Sequence, residues 1–208
     1  MIVPASLEDS TAATNLIYET MGAFGDAALG LGEKALALRA IEYFFAKKGN
    51  RFSWQVTWLS KIGNQPTGVL VAFPGDQYLR RNLVIGWQLW RIYGFSRGIK
   101  LIWNSMIALN SKETKKDEFY ISHIAVHPNY RRRKIAHELM AWAESLAKQN
   151  GLDKCSLVVD IDNAAATSLY QSLGYQLVET NETPQLEKQF HTRGHCRMVK
   201  YLNEGKSK

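Results

Sequence analysis

One continuous stretch of this chain, residues 119–161, constrains the fold more than any other. It begins with the apolar, β-branched run Phe119–Val126, passes through the basic turn His127–Lys134, and continues as an amphipathic helical pattern that stops at Gly151. A second apolar run follows at Cys155–Ile161. A strand, turn, helix and strand of this length form a crossover connection, which places the two strands side by side and parallel. The stretch therefore predicts a mixed α/β domain.

The rest of the chain supplies the other elements of such a domain. Ser6 and Asp9 form a capping-box pattern at the start of a helix that we expect to reach about Met21. Residues 77–110 are apolar, basic and aromatic, and they predict an inserted helical segment in two pieces around Gly94–Gly98. We expect a single domain over residues 1–208, whose remaining elements are a strand at Ile2-Val3, a helix at Glu33–Lys48, a hairpin of Phe52–Ser60 and Thr67–Phe73, a helix at Asn163–Leu173, and strands at Tyr175–Glu179 and Cys196–Leu202.

The composition is that of an ordinary globular domain with an excess of positive charge. Hydrophobic residues make up 46% of the chain and charged residues 22%, which excludes collagen, a coiled coil and bulk disorder. A net charge of +7 is compatible with a nucleic-acid or membrane partner. Cys155 and Cys196 form neither a disulfide framework nor a metal-ligand spacing, and the N-terminus lacks a secretory pattern. We therefore expect a cytoplasmic protein.

The positive charge is concentrated at two places. The first is the run Arg131–Lys134, which precedes a helix whose first N–H groups have no partner within the helix. Such a helix start binds phosphate through its backbone donors and its dipole, so the run predicts a polyanion site. The second is the stretch between Asp76 and Glu113, which contains six cations and no acid. We expect packing to explain its apolar content, although Trp87 and Trp90 could form an acceptor pocket or a dimer patch.

Two short motifs in the second half of the chain carry a family resemblance. Arg131–Ala136 has the sequence Arg-Arg-Arg-Lys-Ile-Ala, and Asn163–Tyr175 has the sequence Asn-Ala-Ala-Ala-Thr-Ser-Leu-Tyr-Gln-Ser-Leu-Gly-Tyr. They resemble the GCN5-related N-acetyltransferases, whose motifs are Gln/Arg-x-x-Gly-x-Gly/Ala and Asn-x-x-Ala-x-x-Leu-Tyr-x-x-x-Gly-Phe/Tyr. Within that family the chain is most similar to the ribosomal-protein N-terminal acetyltransferase branch, over about residues 119–202. Lys134 replaces the usual Gly, which implies either ordinary helical angles there or a weakened phosphate contact.

The resemblance implies a fold, a co-substrate and a set of contacts. It implies a mostly antiparallel central sheet with one parallel pair, the fourth and fifth strands, and helices on both faces. It implies acetyl-coenzyme A as the acetyl donor and an amine as the acceptor, with no metal. The residues that it places against the co-substrate are Ile124, Ala125, Val126, Arg131, Arg132, Arg133, Lys134, Ile135, Ala136, Asn163, Ala166 and Tyr170.

Acetyl transfer to an amine needs an uncharged nitrogen nucleophile and a proton for the leaving thiolate. The resemblance gives the second task to Tyr170 as general acid. His123 is a candidate base because imidazole titrates near neutral pH. Strand alternation groups His123 with Ile121 and Ala125 and leaves open which face meets the cleft.

Carboxylates are the other candidates for the base. Asp160, at the end of a strand, could bind the substrate ammonium or accept a proton through water. Asp162 is better placed to cap the next helix, and Glu118 is a more distant candidate. Members of the family commonly remove the proton through ordered water, so a single base is not required.

These observations favour an acetyl-coenzyme A-dependent N-acetyltransferase that acts on a primary amine by direct attack on the thioester. The alternative is a non-catalytic acyl-coenzyme A sensor or interaction module on the same fold. We expect neither a nucleic-acid nor a membrane partner, while the apolar segment 77–110 is compatible with a homodimer. His191 and His195 suggest metal ligands only superficially, because their spacing is not that of a standard finger. The acceptor amine stays open.

Overall fold

The computed structural model describes residues 1–109, 113–182 and 193–202. Strands and helices follow one another along the chain in the order that the sequence predicts. The elements are β1 (Ile2–Pro4), α1 (Ser10–Leu29), α2 (Lys34–Ala46), β2 (Thr57–Ile62), β3 (Gln65–Pro74), α3 (Tyr78–Leu109), β4 (Phe119–Val126), α4 (Ile135–Gln149), β5 (Lys154–Asp160), α5 (Ala164–Ser172), β6 (Gln176–Glu182) and β7 (Gly194–Tyr201).

Within the described residues, seven strands form one sheet in the order β1-β2-β3-β4-β5-β7-β6. Neighbouring strands are antiparallel except β4 and β5, which are parallel and are joined by α4. The predicted fold class, a mostly antiparallel sheet with a parallel fourth and fifth strand, is confirmed.

Each face of the sheet carries its own apolar core, as the alternation along β3 shows. Val69, Val71 and Phe73 point into a core shared with α1, α2 and α3, whereas Leu70 and Ala72 point into a core shared with α4 and α5. β3 is therefore a central strand that is buried on both sides. The prediction of helices on both faces is confirmed, and we refer to the α1 side and the α4 side of the sheet.

The first helix begins as predicted but is longer. The Ser6 N–H donates to the Asp9 carboxylate at 3.0 Å, and Ser6 and Asp9 form the predicted capping box. The helix does not end near Met21, because the chain turns at Gly22 (φ 50°, ψ −134°) and then resumes helical geometry to Leu29. Only Gly adopts such angles without strain.

The inserted segment forms α3, which bends at Gly94 (φ 73°, ψ 179°), at the start of the predicted break. Its first half is tied to the α1 side by polar contacts. Arg81 Nη1 donates to the Asn50 carbonyl oxygen at 3.1 Å, and the Tyr93 hydroxyl donates to the Leu29 carbonyl oxygen at 2.7 Å. Arg81 is therefore a buried anchor of this helix and is no longer available for a basic patch.

Candidate active site

The central feature of the site is a gap between the parallel strands β4 and β5. The two strands pair only from Phe119 with Cys155 to Ile121 with Leu157, although β4 continues to Val126. Beyond Ile121 the edge of β4 that faces β5 therefore has no strand partner for its backbone N–H and C=O groups. An extended ligand that carries amide groups can bind such an edge as an added strand would.

A β-bulge in β4 lies where the two strands separate. Ala72 of β3 pairs with Ile121 and Val71 pairs with His123, so that Ser122 is an extra residue in β4. As a result Ile121 packs in the core on the α4 side, whereas His123 lies on the α1 side. The prediction that these two residues share a face is wrong, because the extra residue interrupts the alternation of side chains.

His123 keeps one ring nitrogen without a partner. Its Nδ1 lies 2.8 Å from the Thr20 hydroxyl, which is also 2.7 Å from the Ile17 carbonyl oxygen. The hydroxyl has one proton and donates it to that carbonyl, so His123 carries its own proton on Nδ1. Nε2 is buried and has no hydrogen-bond partner among the described residues, and the ring stacks on Phe52. Burial, followed by the charge of Arg51, holds the pKa of His123 well below its usual value, so the imidazole is neutral at neutral pH.

The basic run lies at the start of α4, and its four side chains are exposed. Arg132 and Lys134 have left-handed backbone angles, with φ of 63° and 62°. Ordinary helical angles at Lys134 are therefore excluded, because this position adopts the conformation that Gly favours. Arg131 joins the turn to its surroundings: its Nε donates to the Val126 carbonyl oxygen at 3.4 Å, and its guanidinium lies 3.7 Å from the Glu19 carboxylate. The cations and the first N–H groups of α4 thus lie together near the open end of β4.

The other residues that the resemblance places against a co-substrate surround this gap unevenly. Ile124 and Val126 pack toward the α4 side, and Ala125 packs toward the α1 side. Ile135 is buried in the core on the α4 side, whereas Ala136 is half-buried. Ile135 can therefore offer a ligand its backbone N–H but not its side chain.

The second motif forms α5 and the turn that precedes it. The Asn163 side-chain oxygen accepts a hydrogen bond from the Ala166 N–H at 3.1 Å, so Asn163 is the N-cap of α5. Tyr170 is buried in the core on the α4 side, next to Tyr175. Burial raises the pKa of Tyr170 to about 12, so its hydroxyl stays protonated at neutral pH.

The structure places the candidate acid and the candidate base on opposite faces of the sheet. Tyr170 belongs to the α4 side and His123 to the α1 side. They can meet a common ligand only across the gap between β4 and β5.

Asp160 ends β5 with an exposed side chain on the α1 side, in register with His195 of β7. Its carboxylate accepts the Asp162 N–H at 2.8 Å and so shapes the turn before α5. Asp162 pairs with Arg193, and the hydrogen bond from that guanidinium lowers the pKa of Asp162. Asp160 thus shares a face of the sheet with His123, as a base on the acceptor side would require.

Sequence reasoning missed a buried polar cluster beside the bulge. Arg51 donates to Glu113 at 3.0 Å and to Ser122 at 2.9 Å, and its guanidinium lies over the rings of Tyr78 and Tyr120. Tyr120 also donates a hydrogen bond to Glu113. Burial acts to raise the pKa of Glu113, but the charge of Arg51 and these hydrogen bonds hold it below its usual value. The partners lie far apart in the chain, so no local pattern could have indicated the cluster.

A second unexpected pair removes one candidate base. Glu118 forms an ion pair with Arg197 of β7, and the two side chains are 3% and 5% exposed. Glu118 also accepts the Lys115 N–H at 2.9 Å. This carboxylate is therefore committed to a structural contact, and Glu118 does not reach a ligand.

The predicted absence of a metal concerns residues that are only partly described. His191 lies outside the described residues, and His195 has a buried Nε2 with no hydrogen-bond partner among those described. Within residues 1–109, 113–182 and 193–202, no group of three or more His, Cys, Asp and Glu side chains is placed to hold a metal ion. The described helices also include none that is both long and apolar enough to span a bilayer.

A mixed sheet that opens between its parallel strands, with a basic helix start near the opening, is a candidate site for an extended ligand with a phosphate group. The comparisons with known proteins identify the family. The chain belongs to the acetyltransferase (GNAT) family, whose model matches residues 38–175 and so includes both motifs. Members of the GCN5-related N-acetyltransferases, the group that the motifs resemble, transfer acetyl groups.

Two curated relatives share shorter stretches with the chain. It is 40% identical over 63 residues to a protein of Arabidopsis thaliana named GCN5-related N-acetyltransferase 4, chloroplastic. That aligned stretch covers 30% of this chain and 22% of the relative. It is 36% identical over 58 residues to Acetyltransferase SG1711 of Sodalis glossinidius (strain morsitans), which covers 28% of this chain and 41% of the relative. The aligned stretches span less than half of either relative.

Solved structures match over nearly the whole chain. An N-acetyltransferase from Staphylococcus aureus Mu50 is 27% identical, with a TM-score of 0.71 over 96% of this chain and 99% of that one. A PaiA N-acetyltransferase from Thermoplasma acidophilum, solved in complex with coenzyme A, is 12% identical, with a TM-score of 0.54 over 97% and 98%. The ribosomal-protein-S18-alanine N-acetyltransferase from Escherichia coli is 14% identical, with a TM-score of 0.55 over 97% and 93%. At these identities the last two support the fold alone.

Proposed function

We propose that this chain is an acetyl-coenzyme A-dependent N-acetyltransferase that acts on a primary amine. The observation that carries the proposal is the gap between β4 and β5, which opens toward the basic turn. The pyrophosphate would bind Arg131–Lys134 and the N–H groups at the start of α4. The pantetheine amides would bind the free edge of β4 at Ile124–Val126, beside Asn163 and the small Ala166.

The reaction is direct attack of the amine on the thioester. The nitrogen lone pair forms a bond to the carbonyl carbon, the carbon–sulfur bond breaks, and the acetylated amine loses one proton while the thiolate gains one. Tyr170 lies on the α4 side, where the thioester sulfur would arrive, and its protonated hydroxyl can donate to that sulfur. The high pKa of Tyr170 favours a donated hydrogen bond that strengthens as the thiolate forms.

The amine would enter from the α1 side. The unpartnered Nε2 of neutral His123 carries a lone pair on that face and, because it is buried, would accept the ammonium proton through a water molecule. Asp160 lies on the same face at a strand end and can hold the positive charge of the incoming ammonium. Its exposure suits a binding role better than transfer of a proton.

We also propose that the protein works in a reducing compartment, the cytoplasm, as its composition predicts. Both cysteines are free thiols, which supports it.

Tyr170→Phe tests the assignment of the acid. We expect coenzyme A affinity, measured by calorimetry, to stay within a few-fold, and kcat for thiol release to fall by about 10²–10⁴-fold, the usual contribution of a general acid. Tyr201→Phe is the matched control, because Tyr201 is an exposed tyrosine on β7. A Tyr170→Phe variant with unchanged kcat would remove Tyr170 from the mechanism.

A non-catalytic acyl-coenzyme A sensor is the second candidate, and Lys134 favours it because its Cβ stands at the turn where the family usually has Gly. A panel of amines with thiol release as the readout separates the two. Coenzyme A binding without thiol release on any amine would favour the sensor, and absence of coenzyme A binding would refute both. The same panel identifies the class of acceptor.

A further inference from the structure

The first half of α3 carries an apolar face that the described residues leave open to solvent. Leu79, Leu83, Trp87 and Trp90 recur at three- and four-residue steps and are 68%, 66%, 53% and 47% exposed. We call these four residues the outer face of α3. The inner side of the same helix is also apolar, through the buried Ile85 and Leu89. A helix that faces water on one side normally carries polar residues there, so α3 lacks a partner for its outer face.

Packing therefore explains only half of the apolar content of this segment. The expectation that packing explains the apolar content is met by the inner side, which lies in the core shared with α1 and α2, and is not met by the outer face. Trp87 lies beside Asp76 and Lys116, near the start of β4, whereas the gap opens toward the other end of β4, and Trp90 shares the outer face with Trp87. They belong to a surface that the acetyl-transfer site leaves unexplained.

Cations border the outer face. Arg80 and Arg91 are exposed on α3, and the Arg91 guanidinium lies 4.8 Å from the centre of the Trp87 ring. A shallow, open depression of about 540 Å³ lies against this surface, and its polar lining residues are Asp76, Arg80 and Lys116. The surface is thus an apolar strip with a basic border. Its charge fits a negatively charged partner.

A second copy of the chain fits this surface poorly. In a two-fold interface between antiparallel helices, positions near the two ends of the strip face each other, so Arg80 of each copy would approach Arg91 of the other. Such like-charge contacts oppose association. A peptide helix fits less well for a different reason, because the depression is open and α3 supplies most of its lining.

In place of the expectation of no membrane partner, we propose that the outer face of α3 docks on an anionic lipid surface, with the helix lying in the plane of the interface. Exposed leucine and tryptophan side chains on a helix that lies in the interface insert between lipid headgroups, and flanking arginines and lysines bind anionic ones. Tryptophan in particular favours the region between headgroups and acyl chains. The apolar strip then contacts the lipid and its basic border contacts the anionic headgroups, and the chain lies on the bilayer without crossing it.

Vesicle flotation tests the proposal on the full chain. We expect wild-type protein to float with phosphatidylcholine vesicles that contain phosphatidylglycerol and to bind weakly to phosphatidylcholine alone. Leu83→Glu with Trp87→Glu should lower the partition coefficient at least about tenfold, because two charges then replace inserted side chains. Leu177→Glu with Val178→Glu is the matched control, since these β6 side chains are 54% and 47% exposed and lie on another element.

Circular dichroism and coenzyme A affinity, both unchanged in the two double variants, exclude unfolding as the cause. Equal flotation of the Leu83→Glu/Trp87→Glu variant and the wild type would overturn the proposal, as would absence of flotation on phosphatidylglycerol vesicles. A dimer in sedimentation velocity that this variant converts to a monomer would assign the outer face to a second copy. Tighter binding to an acidic amphipathic peptide than to the vesicles would assign it to a protein partner.

Discussion

Replacing Lys134 by glycine should stabilise the protein, because Lys134 has backbone angles that disfavour any residue with a Cβ. Its φ is 62° and its ψ is 9°, in the left-handed region, and its side chain is exposed. An L-residue there costs roughly 1–2 kcal/mol, and glycine recovers this but adds about 0.4–1 kcal/mol of entropy to the unfolded chain. The free energy of unfolding should therefore rise by about 0.5–1 kcal/mol, which is roughly 1–4 °C in Tm for a chain of this length.

Lys134→Ala is the control that isolates the backbone from the charge. Both variants lose the same ammonium group, but alanine keeps a Cβ in the left-handed conformation. We expect urea unfolding to show unchanged m-values and a glycine variant that is more stable than the alanine variant by about 0.5–1 kcal/mol. Coenzyme A should also bind the glycine variant more tightly than the alanine variant, since phosphate can then approach the backbone. A glycine variant no more stable than the alanine variant would refute the reasoning.

Three further substitutions test the contacts described above. Glu118→Gln leaves the buried Arg197 without its counter-charge and should lower the free energy of unfolding, measured in urea, by about 3–5 kcal/mol. Glu144→Gln, in a more exposed pair, should lower it by less than about 1 kcal/mol. Similar losses in the two variants would contradict this account. The folded protein keeps His123 neutral, whereas the unfolded chain protonates it near pH 6.5. The free energy of unfolding of the wild type should therefore fall as the pH drops below that value, by up to about 1.4 kcal/mol per pH unit. His123→Gln should lose this part of the pH dependence. Parallel pH profiles of the wild type and this variant would show that His123 is not buried in its neutral form. Asn163→Ala removes the N-cap of α5 and should lower stability by about 1 kcal/mol, and an unchanged thermal midpoint would argue against the cap.

Local patterns predicted most of the fold because its elements are locally encoded. Phe119–Val126 forms a strand with the predicted bounds, and α4 and β5 follow within a residue or two of their predicted positions. The apolar period and the glycine stop at Gly151 are properties of neighbouring residues, so they are visible in the sequence. The basic turn was found in the same way, since a strand that runs into a helix through four cations is a local signal.

The misjudged features depend on contacts between distant parts of the chain. Nothing near Ser122 indicates that β4 gains an extra residue against β3, yet that bulge decides which face His123 meets. Arg51 and Glu113 also form their pair across 62 positions, and the rings of Tyr78 and Tyr120, from α3 and β4, cover the Arg51 guanidinium. Exposure of Trp87 is a third case, because an apolar helical period does not say which side a neighbouring helix covers.

The sequence by itself determined the order of strands and helices, the parallel pair, the basic helix start and the motif around Tyr170. These follow from side-chain period and from short motifs, which act over a few residues. Only the tertiary structure decided that the strands part after Ile121, that Tyr170 and His123 lie on opposite faces of the sheet, and that Lys134 adopts the conformation of a glycine. The physical reason is that pairing register, burial and backbone strain are set by the whole sheet and its two cores, and no single segment contains them.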